Sequence, residues 1–356
     1  MNFNQLIIIG LDGKKLSKEE RKIIEKFNPG GIILFSKNGE SPKDFHSLIK
    51  EIKKIALIPP FIVVDQENGV VNRIKKGVTT FPDNFLLGKL GKAFIVYKVF
   101  RIISEEIYKI GIDINLAPVA DLFNEFLKER SFGKDPKLVS KMVKSAISAS
   151  IKEKIIPCVK HFPGHGTSTL DSHNTLPTVS LSYDKLRKTH LLPFIEAIKV
   201  NVPLIMTSHI LFKNIDKDFP VTLSSKFLKE ILRKDLNFSG LIISDDLEMK
   251  AISENFSLKD RIYLALRAGV DLLIFSNTLE KVNRFSIFSI LEELIKSGKL
   301  NEKEIEEKIR KIINLKKKFP VFIERGNINK DLTTLEKKKF SEKLFSLCYE
   351  KSYSWS

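Results

Sequence analysis

Eight repeats of a strand-like run followed by a helical pattern predict an α/β protein, a single-domain (β/α)8 TIM-type barrel. Three observations carry this. Short runs rich in Ile, Val and Leu recur along the 356 residues, several without polar alternation, as strands buried on both faces require. Amphipathic stretches of helical period lie between them. Ionisable or polar residues end at least four of the runs, at Asp65, Lys160-His161, Ser208-His209 and Asp245-Asp246. In a barrel such ends ring one mouth. An open doubly wound sheet is the alternative, disfavoured because no Gly-x-Gly-x-x-Gly follows any run.

The runs are Gln5–Leu11, Gly31–Phe35, Pro60–Asp65, Asp113–Val119, Ile155–Phe162, Val202–Ile210, Gly240–Asp246 and Val270–Phe275. Ser17 followed by Glu20 is a capping-box signal, so a helix is expected to begin there, with Ile23, Ile24 and Phe27 as its apolar stripe. Further helices are expected over Pro42–Lys54, Ala93–Ile110, Pro136–Lys154, Tyr183–Val200, Ser224–Arg233, Leu258–Ala268, Leu279–Ser297 and Asn301–Lys318. Ile305, Ile309, Ile312 and Ile313 give the last of these its 3.6-residue period. The barrel is expected to occupy residues 1–320. Residues 321–335 read as a polar linker and 336–356 as one amphipathic helix, too short to form a domain.

Bulk properties narrow the functional classes. With 43% hydrophobic residues the chain can bury a sizeable core. The first residues, with Leu6-Ile7-Ile8-Ile9 cut short by Asp12, read as a strand and not as a signal peptide. No apolar stretch approaches the ~20 residues of a membrane span, so a soluble cytoplasmic protein with no membrane partner is expected. The net charge of +17 comes from lysines scattered over apparent helix faces. Without zinc-finger spacing or an aromatic–basic motif, no nucleic-acid partner is expected. Cys158 and Cys348 are far apart, and Cys158 sits in an apolar run as a buried thiol would.

Chemistry concentrates in two places. Lys160-His161-Phe162-Pro163-Gly164-His165-Gly166 and Asp171-Ser172-His173 bring a cation, a carboxylate and three histidines into fourteen residues after a strand. A carboxylate two residues from a histidine in a loop can meet the imidazole, fix its tautomer and raise its basicity, making a proton shuttle. An Asx turn beside a surface histidine is the plainer reading. Asp245 ends another strand, where it can act as a nucleophile or base, while Asp246 has the simpler option of capping the next helix. Asp65, with Arg73 eight residues on, suits recognition of hydroxyls or forms a structural ion pair. Arg130 adds a cation after the fourth run. The three histidines with Asp171 lack a regular helical ligand spacing, since Pro163 and Gly164 interrupt His161 and His165, so no metal and no other cofactor is expected.

These residues resemble the signature of family 3 glycoside hydrolases, in the NagZ-like β-N-acetylglucosaminidase branch. The likeness runs almost end to end. It includes Gly30-Gly31-Ile32-Ile33-Leu34-Phe35, Asp65-Gln66-Glu67, Asn115-Leu116-Ala117-Pro118-Val119-Ala120-Asp121, Arg130-Ser131-Phe132-Gly133, Met206-Thr207-Ser208-His209 and Ser244-Asp245-Asp246-Leu247-Glu248-Met249. It implies a (β/α)8 barrel and a reaction that retains anomeric configuration. By motif, Asp245 would be the nucleophile and His173 the general acid/base paired with Asp171. Asp65, Arg73, Arg130, Lys160, His161 and Met206 would hold the sugar. The implied substrate is a small carbohydrate with terminal β-linked N-acetylglucosamine, typically on peptidoglycan-derived muropeptides.

The chain departs from the family pattern after Asp65-Gln66-Glu67. Asn68 and Val70 stand where the family usually has glycine and arginine, while Arg73 is kept. The tail resembles the helix that leads into the second domain of longer members, as a remnant of a lost domain would. Rival readings are a β-glucosidase, β-xylosidase or phosphorylase of the same family and, from another class, a non-catalytic sugar- or anion-binding barrel.

Overall fold

The computed structural model describes residues 2–166, 176–280, 282–319, 321, 328 and 331–353. Its centre is a closed parallel barrel of β1 (Ile7–Gly10), β2 (Gly31–Leu34), β3 (Phe61–Val64), β4 (Ile114–Asn115), β5 (Ile156–Phe162), β6 (Leu204–Thr207), β7 (Leu241–Asp246) and β8 (Leu272–Phe275). Each strand pairs with the next in sequence, and β8 closes on β1 through Ile7↔Leu273, Ile8↔Ile274 and Ile9↔Phe275. Every one of the eight apolar runs contains one of these strands. The residues of β1, β2, β3, β6 and β8 are all buried, the burial their unbroken apolar runs imply.

The fourth run is shorter as a strand than its apolar length implies. Pro118 has no N–H to give the ladder, so regular pairing stops after Asn115. Val119 rejoins by a bridge to Lys160, and the Ala120 amide donates to the Lys160 carbonyl at 2.7 Å. This return keeps Asp121 against the end of β5.

The capping box forms as expected: Ser17 Oγ accepts from the Glu20 amide at 3.1 Å, and Glu20 Oε2 accepts from the Ser17 amide at 2.7 Å. The expected Tyr183–Val200 helix divides into Tyr183–Lys188 and Leu192–Lys199. Pro193 favours the first turn of a new helix over the interior of an old one. The expected Leu279–Ser297 helix begins later, at Arg284, where Asn283 caps it. Asn84–Leu90 is a helix that the periodicity does not announce.

Close approach fixes small residues at the barrel's inner joints. A Cβ on Gly10 would stand 1.8 Å from the Ser276 carbonyl oxygen, so β1 and the chain after β8 meet only because that atom is absent. Away from the mouth, Lys316 is buried with Nζ donating to Gln5 Oε1 and to the Pro59 carbonyl, both at 2.8 Å. Burial pushes its ammonium down to about 7.

The helix Leu335–Tyr353 lies against the barrel. Leu344 and Cys348 are buried, Phe340 meets Phe81 edge-on with ring centroids 6.0 Å apart, and Ser341 Oγ donates to the Thr80 carbonyl at 2.5 Å. Lys337 Nζ sits 3.2 Å from Glu106 Oε1, and the Leu332 amide donates to the Gly77 carbonyl at 2.7 Å. Among the described residues, no helix is long and apolar enough to cross a membrane. Deleting residues 336–356 is expected to expose this seam and lower the melting temperature by about 5 °C or more, measured by calorimetry. An unchanged transition would show that the seam adds nothing to stability.

Candidate active site

The C-terminal ends of the strands enclose a cavity of about 430 Å³. Its polar lining comes from separate strand ends and the loops after them: Asp65, Glu67 and Arg73 after β3, Arg130 after β4, Lys160 and His161 on β5, and Asp245 and Asp246 on β7. Phe35, Leu116, Phe126, Met206, Met249 and Leu279 supply apolar surface. Every expected sugar-contacting residue therefore borders one cavity, together with Asp245. Asp171 and His173 lie outside the described residues.

A buried ion network forms one wall. Lys160 Nζ lies between two carboxylates, 2.8 Å from Asp65 Oδ1 and 2.5 Å from Glu67 Oε1. Glu67 also takes a two-point hydrogen bond from Arg130, with Nε donating to Oε2 at 2.9 Å and Nη2 donating to Oε1 at 2.8 Å. Such a forked pair fixes orientation as well as charge. Arg73 Nη2 donates to Asp65 Oδ2 at 3.2 Å, so Asp65 and Arg73 both line the cavity and pair with each other. Burial pushes the Glu67 carboxyl up, but Arg130 and Lys160 outweigh it and hold the group at about 2. For Asp65, burial likewise opposes ionisation, and Lys160 and Arg73 prevail to lower its titration. Burial opposes the charge of Lys160, but its two carboxylates raise it overall, so it stays an ammonium.

The loop after β3 turns back as a short hairpin, Gln66–Asn68 against Val71–Asn72. Gly69 at φ +65° makes the turn, and Asn68 also holds a left-handed φ, +88°. Asparagine is among the few side chains that tolerate this region, which explains how the chain keeps the turn where the family usually has glycine. The side-chain Nδ2 of Asn68 donates to the Pro82 carbonyl, pinning the hairpin. Val70, at the family's arginine position, is 66% exposed.

A second buried centre is Asp121. Its Oδ2 accepts from the His161 amide at 3.0 Å and pairs with His161 Nδ1 at 2.8 Å. Its Oδ1 accepts from the His165 amide at 2.9 Å and pairs with His165 Nδ1 at 2.9 Å. The ligand atoms of Asp121, His161 and His165 all lie within 4.8 Å of one another, close enough to hold a metal ion. In this structure both histidines are hydrogen-bonded to the Asp121 carboxylate.

On β7, Asp245 Oδ1 accepts from the Asp246 amide at 2.8 Å. Asp246 accepts from the Glu248 amide at 3.1 Å and from the Ser276 hydroxyl, so it ties a turn rather than capping a helix. Glu248 Oε2 accepts from the Asn277 amide at 2.5 Å. Burial pushes both Asp246 and Glu248 upward, helped by the neighbouring Asp245 for Asp246 and by Asp246 for Glu248. His209 lies behind them, its Nε2 donating to the Asp246 carbonyl at 2.9 Å. Cys158 is fully buried in β5, and burial pushes its thiol up, so it is an inert core group.

Sequence reasoning missed Glu67, Asp121 and His165 as members of the site, though all three stand in the motifs. Their partners are distant in the chain, as Glu67 and Arg130 are, so no local spacing announces the contact.

Fold and site define a (β/α)8 barrel with a charged pocket at its C-terminal mouth, the usual place for catalysis in this architecture. The profile of the glycosyl hydrolase family 3 N-terminal domain matches residues 2–315. The chain is 31% identical over 335 residues to beta-hexosaminidase A of Pseudoalteromonas piscicida, covering 86% of this chain and 56% of that protein. It is 32% identical over 285 residues to a beta-hexosaminidase of Alkalilimnicola ehrlichii, covering 78% of this chain and 82% of that one. A solved family 3 beta-N-acetylglucosaminidase from Paenibacillus sp. superposes with a TM-score of 0.92 at 33% identity, over 96% of this chain and 67% of that one. The chain belongs to glycosyl hydrolase family 3.

Glu67→Gln is expected to leave Lys160 and Arg130 with too little countercharge and to cost about 3 kcal/mol or more of stability. Because the Glu67 titration is lowered on folding, from an ordinary 4.5 to about 2, its contribution is complete above the higher value and lost as pH falls through the lower. Urea midpoints measured across that window should therefore fall more steeply with acid in the wild type than in Glu67→Gln. Parallel curves would show that Glu67 is not the linked group.

Proposed function

We propose that the chain is a retaining glycosidase that removes terminal β-linked N-acetylglucosamine, with peptidoglycan-derived muropeptides as its natural substrates. The observation that carries this reading is the convergence of Asp245 with Asp65, Arg130, Lys160 and His161 on one cavity. A carboxylate facing a cluster of paired charges is what attack on a sugar carbon and recognition of its hydroxyls require. The beta-hexosaminidase relatives and the Paenibacillus enzyme support the same choice of sugar.

In this mechanism the Asp245 carboxylate attacks the anomeric carbon, and the glycosidic C–O bond breaks as His173 gives its proton to the leaving oxygen. Water then attacks the same carbon, passing a proton to His173 and releasing Asp245. Asp171 holds the imidazole and steadies its charge. Asp171 and His173 enter by their motif alone. A histidine in place of the usual second carboxylate can serve both steps, since its ordinary titration lies near neutrality. Lys160 and Arg130 donate to hydroxyls, Asp65 and His161 are the neighbouring polar partners, Arg73 braces Asp65, and Met206 offers an apolar surface to the ring.

Hydrolysis of p-nitrophenyl β-N-acetylglucosaminide, beside the corresponding β-glucoside, tests this directly. The acetylated substrate should be cleaved, and Asp245→Ala should lower the rate by about 10⁴-fold, ~5.4 kcal/mol in the barrier. Preference for the glucoside would overturn the choice of sugar. Cleavage of neither substrate by folded protein would favour a binding barrel.

A further inference from the structure

Asp121 differs from the other acids at the mouth. It is completely buried and does not border the cavity, so substrate cannot reach it. Both of its oxygens are occupied by the same pattern, a backbone amide and a ring Nδ1 from one histidine each. The two backbone amides can only donate, so each oxygen already acts as an acceptor, as in a carboxylate. An ionised carboxylate only accepts hydrogen bonds, so each Nδ1 facing it must carry the proton.

The consequence falls on the opposite edge of the rings. His161 is buried, shares a single carboxylate with the His165 ring, and borders the same cavity as Lys160 and Arg130, so a second ring proton would add charge among cations and the neutral imidazole is favoured. A neutral ring with its proton on Nδ1 has a bare lone pair on Nε2. His161 lines the cavity, and Nδ1 is already committed to Asp121. Its neighbour Lys160, with Arg130, supplies donors to the same cavity. A hydroxyl both gives and receives a hydrogen bond, so a donor and an acceptor on consecutive residues match one hydroxyl. The His161 and His165 rings stand perpendicular, with centroids 5.0 Å apart and planes at 89°, and Phe126 packs on His165 at 5.7 Å. Neither ring can reorient without disturbing the other.

We propose that Asp121 is a positioning residue that fixes His161 and His165 as Nδ1–H tautomers, leaving His161 Nε2 to accept a hydrogen bond from a substrate hydroxyl. This rests on the sugar-binding reading of the cavity, but the tautomer itself is observable without any reaction.

The experiment is long-range proton–nitrogen correlation NMR on the full chain labelled with ¹⁵N-histidine, assigned with His161→Gln and His165→Gln. Both rings should show the proton at Nδ1, and added N-acetylglucosamine should shift His161 Nε2. In Asp121→Asn the amide offers one acceptor and one donor, so one ring should switch to the Nε2–H form. KM for the p-nitrophenyl substrate should then rise about 10- to 100-fold with a smaller change in kcat. Wild-type spectra with the proton on His161 Nε2 would overturn the assignment, even with hydrolysis intact. So would an Asp121→Asn protein with unchanged tautomers and KM. Should Asp121→Asn not fold, the wild-type spectra decide. The expected spectra and sugar-induced shift without hydrolysis would support Asp121's role and overturn only the catalytic reading.

Discussion

The site is organised around one desolvated cation. Lys160 is almost wholly buried, and an ammonium in such surroundings is sustained only by opposite charge. Asp65 and Glu67 provide it, and both come from the segment after β3, two strands away around the barrel. Glu67 is then committed to Arg130, and Asp65 to Arg73. Five charged side chains from three strand ends are thus tied into one unit. None can be moved or neutralised alone without stranding another charge. This is the physical reason the mouth can hold polar groups in a fixed arrangement before any ligand arrives.

The same constraint explains why the acids around the mouth behave differently. Glu67 and Asp65 are buried among cations and stay ionised at low pH. Asp246, half-buried, and Glu248, buried, have hydroxyl and amide donors and other acids for neighbours, and are pushed the other way. Asp121, also buried, is charged because two histidines surround it. Burial is common to all of these, so the partners decide the outcome.

Much of the fold was legible because its signals are local and repeated. Ile- and Val-rich runs bounded by polar residues mark strands buried on both faces, and Ser17 with Glu20 marks a helix start by hydrogen bonds that span three residues. Two boundaries shifted where proline intervened, Pro118 shortening the fourth strand's ladder and Pro193 starting a new helix inside an expected one, and a third moved to Arg284, where Asn283 caps the helix. The Asn84–Leu90 helix lacks a long apolar period and went unseen. In the site, the strand-end position of Asp65, Lys160, His161 and Asp245 was readable, since each follows an apolar run. Glu67, Asp121 and His165 were visible as letters in motifs but not as members of a network.

By itself the sequence determined the eight-fold alternation, the closure it favours, and the placement of ionisable residues at strand ends, because these depend on hydrophobic period and backbone chemistry within a few residues. The family likeness is carried by the same short motifs. Only the tertiary structure decided which charges pair. Glu67 meets Arg130 across 63 residues, Asp65 meets Lys160 across 95, and Asp121 meets His165 across 44. Electrostatic energy depends on distance and on the exclusion of water, and both are set when the barrel closes.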